Sequence, residues 1–152
     1  MKILSPSVLV RETGTTKGRG VFATRSYAQG ETVEACPTVL FTGFFSQIPA
    51  EVRKLLYHWS FGSDGGNNVH CLALGYGSLY NHDNPANMRY EALTEAKVLR
   101  FVAVRAIEEG EELTTNYNAV PGEHRSDGNA WFDVMGVTPL PEAENATNDH
   151  SQ

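Results

Sequence analysis

LALGYGSLYNHDNPANMRY, residues 72–90, and EEGEELTTNY, residues 108–117, are the two stretches on which the reading of this chain turns. The first begins with small and apolar residues, which predict a strand over 72–79. It then reaches Asn81-His82 just before the turn formers Asp83-Asn84-Pro85-Ala86-Asn87, so an amide and an imidazole fall at a strand end. Asn offers both a donor and an acceptor, and His can lock a neighbouring loop by hydrogen bonding. Taken alone, the segment reads first as an Asx turn beside a structural histidine. In the second stretch Gly110 supplies a turn, because glycine takes positive φ without steric cost. The run EELTTNY, residues 111–117, then ends at Tyr117.

Outward from these segments the chain reads as mainly β. Residues 8–11, 20–24, 32–40 and 98–104 are β-branched or aromatic runs bounded by Gly, Pro, Asp or Asn, the usual strand signature. One helix is predicted over 46–59. Ser46 or Gln47 can cap it, Pro49 suits its first turn, and Val52, Leu55, Leu56 and Trp59 recur at helical spacing. RSYAQGETV (25–33) and RAIEEGEEL (105–113) echo one another, each with Gly-Glu at its centre; two ordinary tight turns account for the echo. From 138 onward two prolines, three acids and no Lys or Arg predict a disordered tail, 138–152, after a single domain over 5–137.

Composition narrows the function. A length of 152 residues suits one domain. Twelve Lys plus Arg against eighteen Asp plus Glu leave a net charge of −6, which argues against a phosphate-backbone partner and suits a basic protein. The same charge also serves solubility alone. Cys36 and Cys71 form no CxxC pair, so neither a zinc cluster nor a disulfide framework is expected and both read as buried thiols. The N-terminus is too weak for a signal peptide, and no apolar run approaches membrane-spanning length. A soluble intracellular protein is expected.

With Asn81-His82, Pro85, Asn87 and the run from Gly110 to Tyr117, and with GRGVFATRSYAQGE (18–31) ahead of them in order, the chain resembles the SET-domain protein-lysine methyltransferases. The run ALGYGSLYNH brings it nearest the minimal viral and bacterial members. The resemblance covers residues 8–131. It implies a SET (β-clip-like) fold of short strands in small sheets, with a C-terminal pseudoknot and one inserted amphipathic helix. It also implies methyl transfer from S-adenosylmethionine, without a metal, to a lysine of a basic protein such as a histone. Catalysis would fall to Tyr117. Cofactor binding would fall to Lys17, Gly18, Arg19, Gly20, Asn81, His82 and Tyr117, where two residues without Cβ let backbone approach the ligand.

Substrate lysine would pass an aromatic wall, with Tyr76 first in rank, Trp131 second and Tyr57 a further candidate; Tyr80, Trp59 and Phe132 are also within reach of such a wall. Aromatic faces attract ammonium groups. Tyr76 and Tyr80, four apart, share a face if their strand is regular. Thr115, two before the tyrosine, stands where members of this family often carry an aromatic that limits methyl number; its small size implies more than monomethylation. Glu91 and Glu95 could steer a basic substrate, although a solvated face is their commoner role. Members of the family that end in a zinc-binding cysteine cluster differ from this chain, which has no cysteine after Cys71; residues 122–131 would stand in its place. The minimal members can be homodimeric. A noncatalytic SET-like module that binds a peptide or partner is the rival reading.

Overall fold

The computed structural model describes residues 2–59, 69–120 and 122–135; the tail predicted over 138–152 lies outside them. Among the described residues, strands in three small sheets dominate. β1 (Val8–Glu12) and β2 (Arg19–Ala23) form an antiparallel pair. β3 (Thr32–Thr42), β4 (Leu56–His58), β5 (Val69–Ala73), β7 (Met88–Leu93) and β8 (Val98–Ala103) form a sheet in the order β4-β5-β3-β8-β7, antiparallel throughout. Between β5 and β7 lies β6 (Asn81–His82), which pairs in parallel with β9 (Thr114–Thr115). The four strands expected from β-branched runs are present, with ends moved by one or two residues.

The helix expected over 46–59 is not formed as such. A 3₁₀ turn at Phe45–Gln47 and one helical turn, α1 (Ala50–Arg53), occupy its first half, and β4 occupies its second. A single turn is too short to stand on helix propensity. The supposed apolar stripe is not a core face, for Val52 and Leu55 are 36% and 39% exposed. The chain gains more by pairing Leu56 and Tyr57 with Leu72 and Cys71 of β5 and by burying Trp59. Tertiary pairing overrides the helical spacing.

The sequence echo becomes a spatial one. The two Gly-Glu turns face each other: Tyr27 N donates to Ile107 O and Ile107 N donates back to Tyr27 O. Gly30 N bonds Ala103 O while Gly110 N bonds Ala23 O, and Ala103 N and Ala23 N return bonds to Glu31 O and Glu111 O. Each turn also carries the same ion pair six residues apart, Arg25–Glu31 and Arg105–Glu111. Gly30 and Gly110, with φ of +81° and +90°, hold backbone that other residues adopt only with strain. The paired turns close one end of a core containing Val21, Tyr27, Met88, Leu99, Phe101, Ile107 and Leu113. Cys36 and Cys71 lie in that core as free thiols, both pushed up to about 12 by burial, which makes them poor nucleophiles.

Candidate active site

Two segments distant in sequence cross at β6 and β9. In their parallel register Asn81 lies opposite Thr114 and His82 opposite Thr115. Asn87 fastens the crossing: its buried side chain donates to Glu112 O and accepts from Thr114 N at 2.7 and 2.9 Å. A two-residue parallel pair has little stability of its own, so the amide of Asn87 supplies hydrogen bonds that a longer ladder would otherwise provide.

This crossing delivers Tyr117 to His82. Tyr117 N donates to His82 Nδ1 at 3.1 Å, and the Tyr117 hydroxyl donates to Tyr80 O at 2.6 Å. His82 Nδ1 is therefore an acceptor, and its proton resides on Nε2. Burial lowers the His82 pKa to about 4; Lys17 adds to the lowering and Asp83 opposes it. The imidazole is neutral near pH 7. Burial, and secondarily Glu112, raises the Tyr117 pKa, so its hydroxyl stays protonated and is a donor and acceptor rather than a base.

Asn81 ties the glycine segment to this centre, its Nδ2 donating to Arg19 O at 2.9 Å and to Glu112 Oε1 at 2.7 Å. Lys17 stands near enough to His82 to shift its titration. Gly18 takes φ of +74° at the turn before β2, with open space around it, and the Arg19 side is exposed. Gly20 has a different reason to be glycine from the one its motif suggests. A Cβ there would run into the Glu112 carboxylate and Thr13, so close packing inside the protein already requires the missing side chain.

A cavity of about 430 Å³ opens beside Tyr117, walled by Tyr57, Tyr80, Tyr90 and Trp131. That volume and this mixture of rings with a few polar groups suit a small ligand or one side chain. Burial raises the pKa of Tyr57 and Tyr80, and takes that of Tyr90 to about 12. Tyr57 donates to Gly77 O at 2.6 Å. The buried Thr115 hydroxyl lies near it but outside hydrogen-bonding geometry, without a partner.

Tyr76 is not on this wall. β5 ends at Ala73, Gly75 turns the chain with φ of +76°, and a 3₁₀ turn follows at Gly77–Leu79, so the regular strand that would align Tyr76 with Tyr80 is absent. Tyr76 instead packs on the core, and its N–H donates to Glu34 Oε1 at 3.0 Å. Trp59 is likewise core. Glu91 is taken by Arg89 and Arg100, which removes it as a free steering charge; Glu95 is exposed in the β7–β8 turn.

Several site residues escaped the sequence reading. Glu34 is 3% exposed, and its carboxylate accepts from Tyr76 N and, at 2.7 Å, from the Tyr80 hydroxyl. Burial raises its pKa despite both bonds. It thereby fixes Tyr80, whose carbonyl holds Tyr117. Asn84, Asn116 and Ser126 form an amide clasp: Asn84 Nδ2 donates to Ser126 O at 2.8 Å, and Asn116 Nδ2 donates to Asn84 Oδ1 and Ser126 Oγ at 3.1 and 3.0 Å. Next to it Trp131 N donates to Asn118 Oδ1 at 2.7 Å. These bonds dock helix α2 (Ala130–Met135), setting Trp131 4.7 Å from the Tyr117 ring and Phe132 4.7 Å from the His82 ring. In the sequence Asn84 reads only as a turn former, Asn116 only as part of the run ending at Tyr117, and Asn118 carries no signal.

Residues 18–118 match the SET domain family. The histone-lysine N-methyltransferase of Schizosaccharomyces pombe specific for H3 lysine-37 is 29% identical over 120 residues, 77% of this chain and 71% of that one. A Plasmodium falciparum protein described as a candidate histone methyltransferase has a crystal structure that superposes with a TM-score of 0.58 at 26% identity, covering 77% of this chain and 97% of that one. CpSET8 from Cryptosporidium shares the fold, with a TM-score of 0.55 at 22% identity over 77% of this chain and 60% of that one.

Proposed function

We propose, for a chain that belongs to the SET-domain family and is a protein-lysine methyltransferase, that the donor is S-adenosylmethionine and the acceptor a lysine of a basic protein such as a histone. The observation that carries this reading is the Tyr117 hydroxyl, held by Tyr80 O at 2.6 Å beside an aromatic cavity and against the His82 ring. The residues suit such a donor. Lys17 offers a cation for a carboxylate, Asn81 and His82 offer polar edges, and Phe132 offers an aromatic face. Asn118 Nδ2 is buried without a partner, a donor available to a ligand. When bound, S-adenosylmethionine supplies an electrophilic methyl group to the free-base amine.

The chain's own part is orientation. Tyr117 spends its proton on Tyr80 O, so the oxygen lone pairs are left to face the amine and the cationic centre, an arrangement that lowers the barrier by positioning. A free lysine has a pKa near 10.4. Among the described residues no carboxylate lines the cavity, so burial there disfavours the ammonium and releases its proton to water at the mouth. Tyr57 and Trp131 wall the alkyl chain. Thr115 leaves room near the amine for more than one methyl group. The homodimer implied by the resemblance belongs to the same proposal, with sedimentation as its test.

The test is transfer of labelled methyl to histones and other basic proteins. Tyr117→Phe is expected to lower kcat by about a hundredfold while calorimetry shows cofactor binding within a few fold of wild type. Absence of cofactor binding in the wild-type chain refutes the proposal.

A further inference from the structure

The cavity beside Tyr117 has an unexpected charge. Arg53 and Lys54, at the end of the α1 turn, contribute to its lining along with Phe45 and Leu55, and its described lining holds no Asp or Glu. Lys54 is half exposed, and Glu51 approaches it only to 3.8 Å while remaining 88% exposed; a loose surface pair of this kind neutralises little. Arg53 holds its guanidinium 5.6 Å over the Phe45 ring. Its Nε is buried without a hydrogen-bond partner, whereas nearly all buried N–H groups have one. Two cations and an unused donor thus stand on the wall of a cavity that, as a methyltransferase site, receives a lysine.

A protonated lysine alone is repelled there. We infer that the target lysine is accompanied in its peptide by an anionic side chain, a carboxylate or a phosphorylated residue, which Arg53 and Lys54 bind as the lysine enters. This rests on the methyl-transfer reading and narrows its substrate class. The guanidinium fork matches carboxylate or phosphate oxygens in pairs of charge-assisted hydrogen bonds. The two scales of charge then act separately. The net charge of −6 draws a basic chain from a distance, and the local cations discriminate among its lysines by what stands beside them.

The probe is a set of fluorescent peptides with one lysine in an alanine background, carrying Glu, phosphoserine or Arg at each flanking position in turn. Binding is read by anisotropy and methylation by kcat/KM. At one position Glu or phosphoserine is expected to tighten binding on the order of three- to tenfold, Arg to weaken it, and Arg53→Gln with Lys54→Gln to abolish the difference. Lys54→Gln alone, at an exposed site, gives a partial loss and guards against misfolding of the double variant. A phosphoserine advantage well above that of Glu assigns the site to phosphorylated substrates; equal effects assign it to carboxylates. The inference is overturned if no position favours an anion, if the preference survives the double variant, or if no peptide binds. Methylation without anion preference leaves the methyltransferase reading intact and removes only this one; anion-dependent binding of peptides whose lysine is never methylated overturns this inference as a statement about the methylation substrate.

Discussion

Acidification tests the site through His82. Burial takes its pKa from 6.5 to about 4, so between these values the unfolded chain binds a proton that the folded chain refuses. Stability therefore falls as pH drops through this window. Protonation also places a hydrogen on Nδ1, where Tyr117 N now donates. With those two values the loss between pH 7 and pH 5 is about 2 kcal/mol, and it approaches about 3 kcal/mol below pH 4. Glu34, whose pKa burial raises, works in the opposite direction over part of the same range, so the raw stability curve mixes the two. Urea unfolding of wild type and His82→Gln at matched pH separates them, since Glu34 is common to both. The wild-type stability minus that of the variant is expected to shrink by about 2 kcal/mol from pH 7 to pH 5. A difference that stays flat, or a His82 imidazole that titrates near 6.5 by NMR, refutes the idea that burial sets its charge.

The amide clasp gives a second prediction. In a Trp59→Phe background, Ser126→Ala and Asn118→Ala are expected to raise the cofactor KM about tenfold and to shift Trp131 emission toward that of exposed tryptophan, with loss of about 1 kcal/mol of stability per hydrogen bond; unchanged emission would mean that α2 docks without them. The Thr115 position predicts products beyond monomethyl-lysine at saturating donor, and mass spectrometry showing only the monomethyl form contradicts it.

How far the sequence disclosed this molecule depends on the range of the interaction concerned. Strands such as β3 and β8 were legible because β-branched and aromatic runs bounded by turn formers mark a strand even where both faces are buried. Asn81, His82 and Tyr117 were legible because their types and order are distinctive, and the structure brings all three together. Tyr76 was misplaced for a local reason: Gly75 and Gly77 break the strand, and alternation cannot be extrapolated through a 3₁₀ turn. The helix failed for a nonlocal one, since the pairing of β4 with β5 joins residues 56–58 to residues 70–72 and spacing within 46–59 contains no trace of it. Tyr90, Arg53 and the partners of Asn116 were hidden for the same cause. Tyr90 joins the site through sheet order, the partners of Asn116 through side-chain bonds to a distant segment, and Arg53 by lining a cavity whose other walls come from distant segments.

The placement of charge links this architecture to its chemistry. Apart from the loose Lys54–Glu51 pair, the described ion pairs Arg25–Glu31, Arg105–Glu111 and Arg89–Glu91–Arg100 lie on the turns and on exposed or half-buried parts of the sheet. Around Tyr117, in contrast, burial keeps tyrosines and imidazole neutral. The cations on the cavity wall, Arg53 and Lys54, accept no proton, and no Asp or Glu is in its described lining, so the site has no resident base for a lysine and the amine itself must govern the pH dependence. The logarithm of kcat/KM is expected to rise by about one per pH unit from pH 6.5 toward the free amine's pKa, in wild type and His82→Gln alike. A plateau beginning near pH 7 would instead require a titrating group of the protein, and direct release of the lysine proton to water would no longer explain the rate.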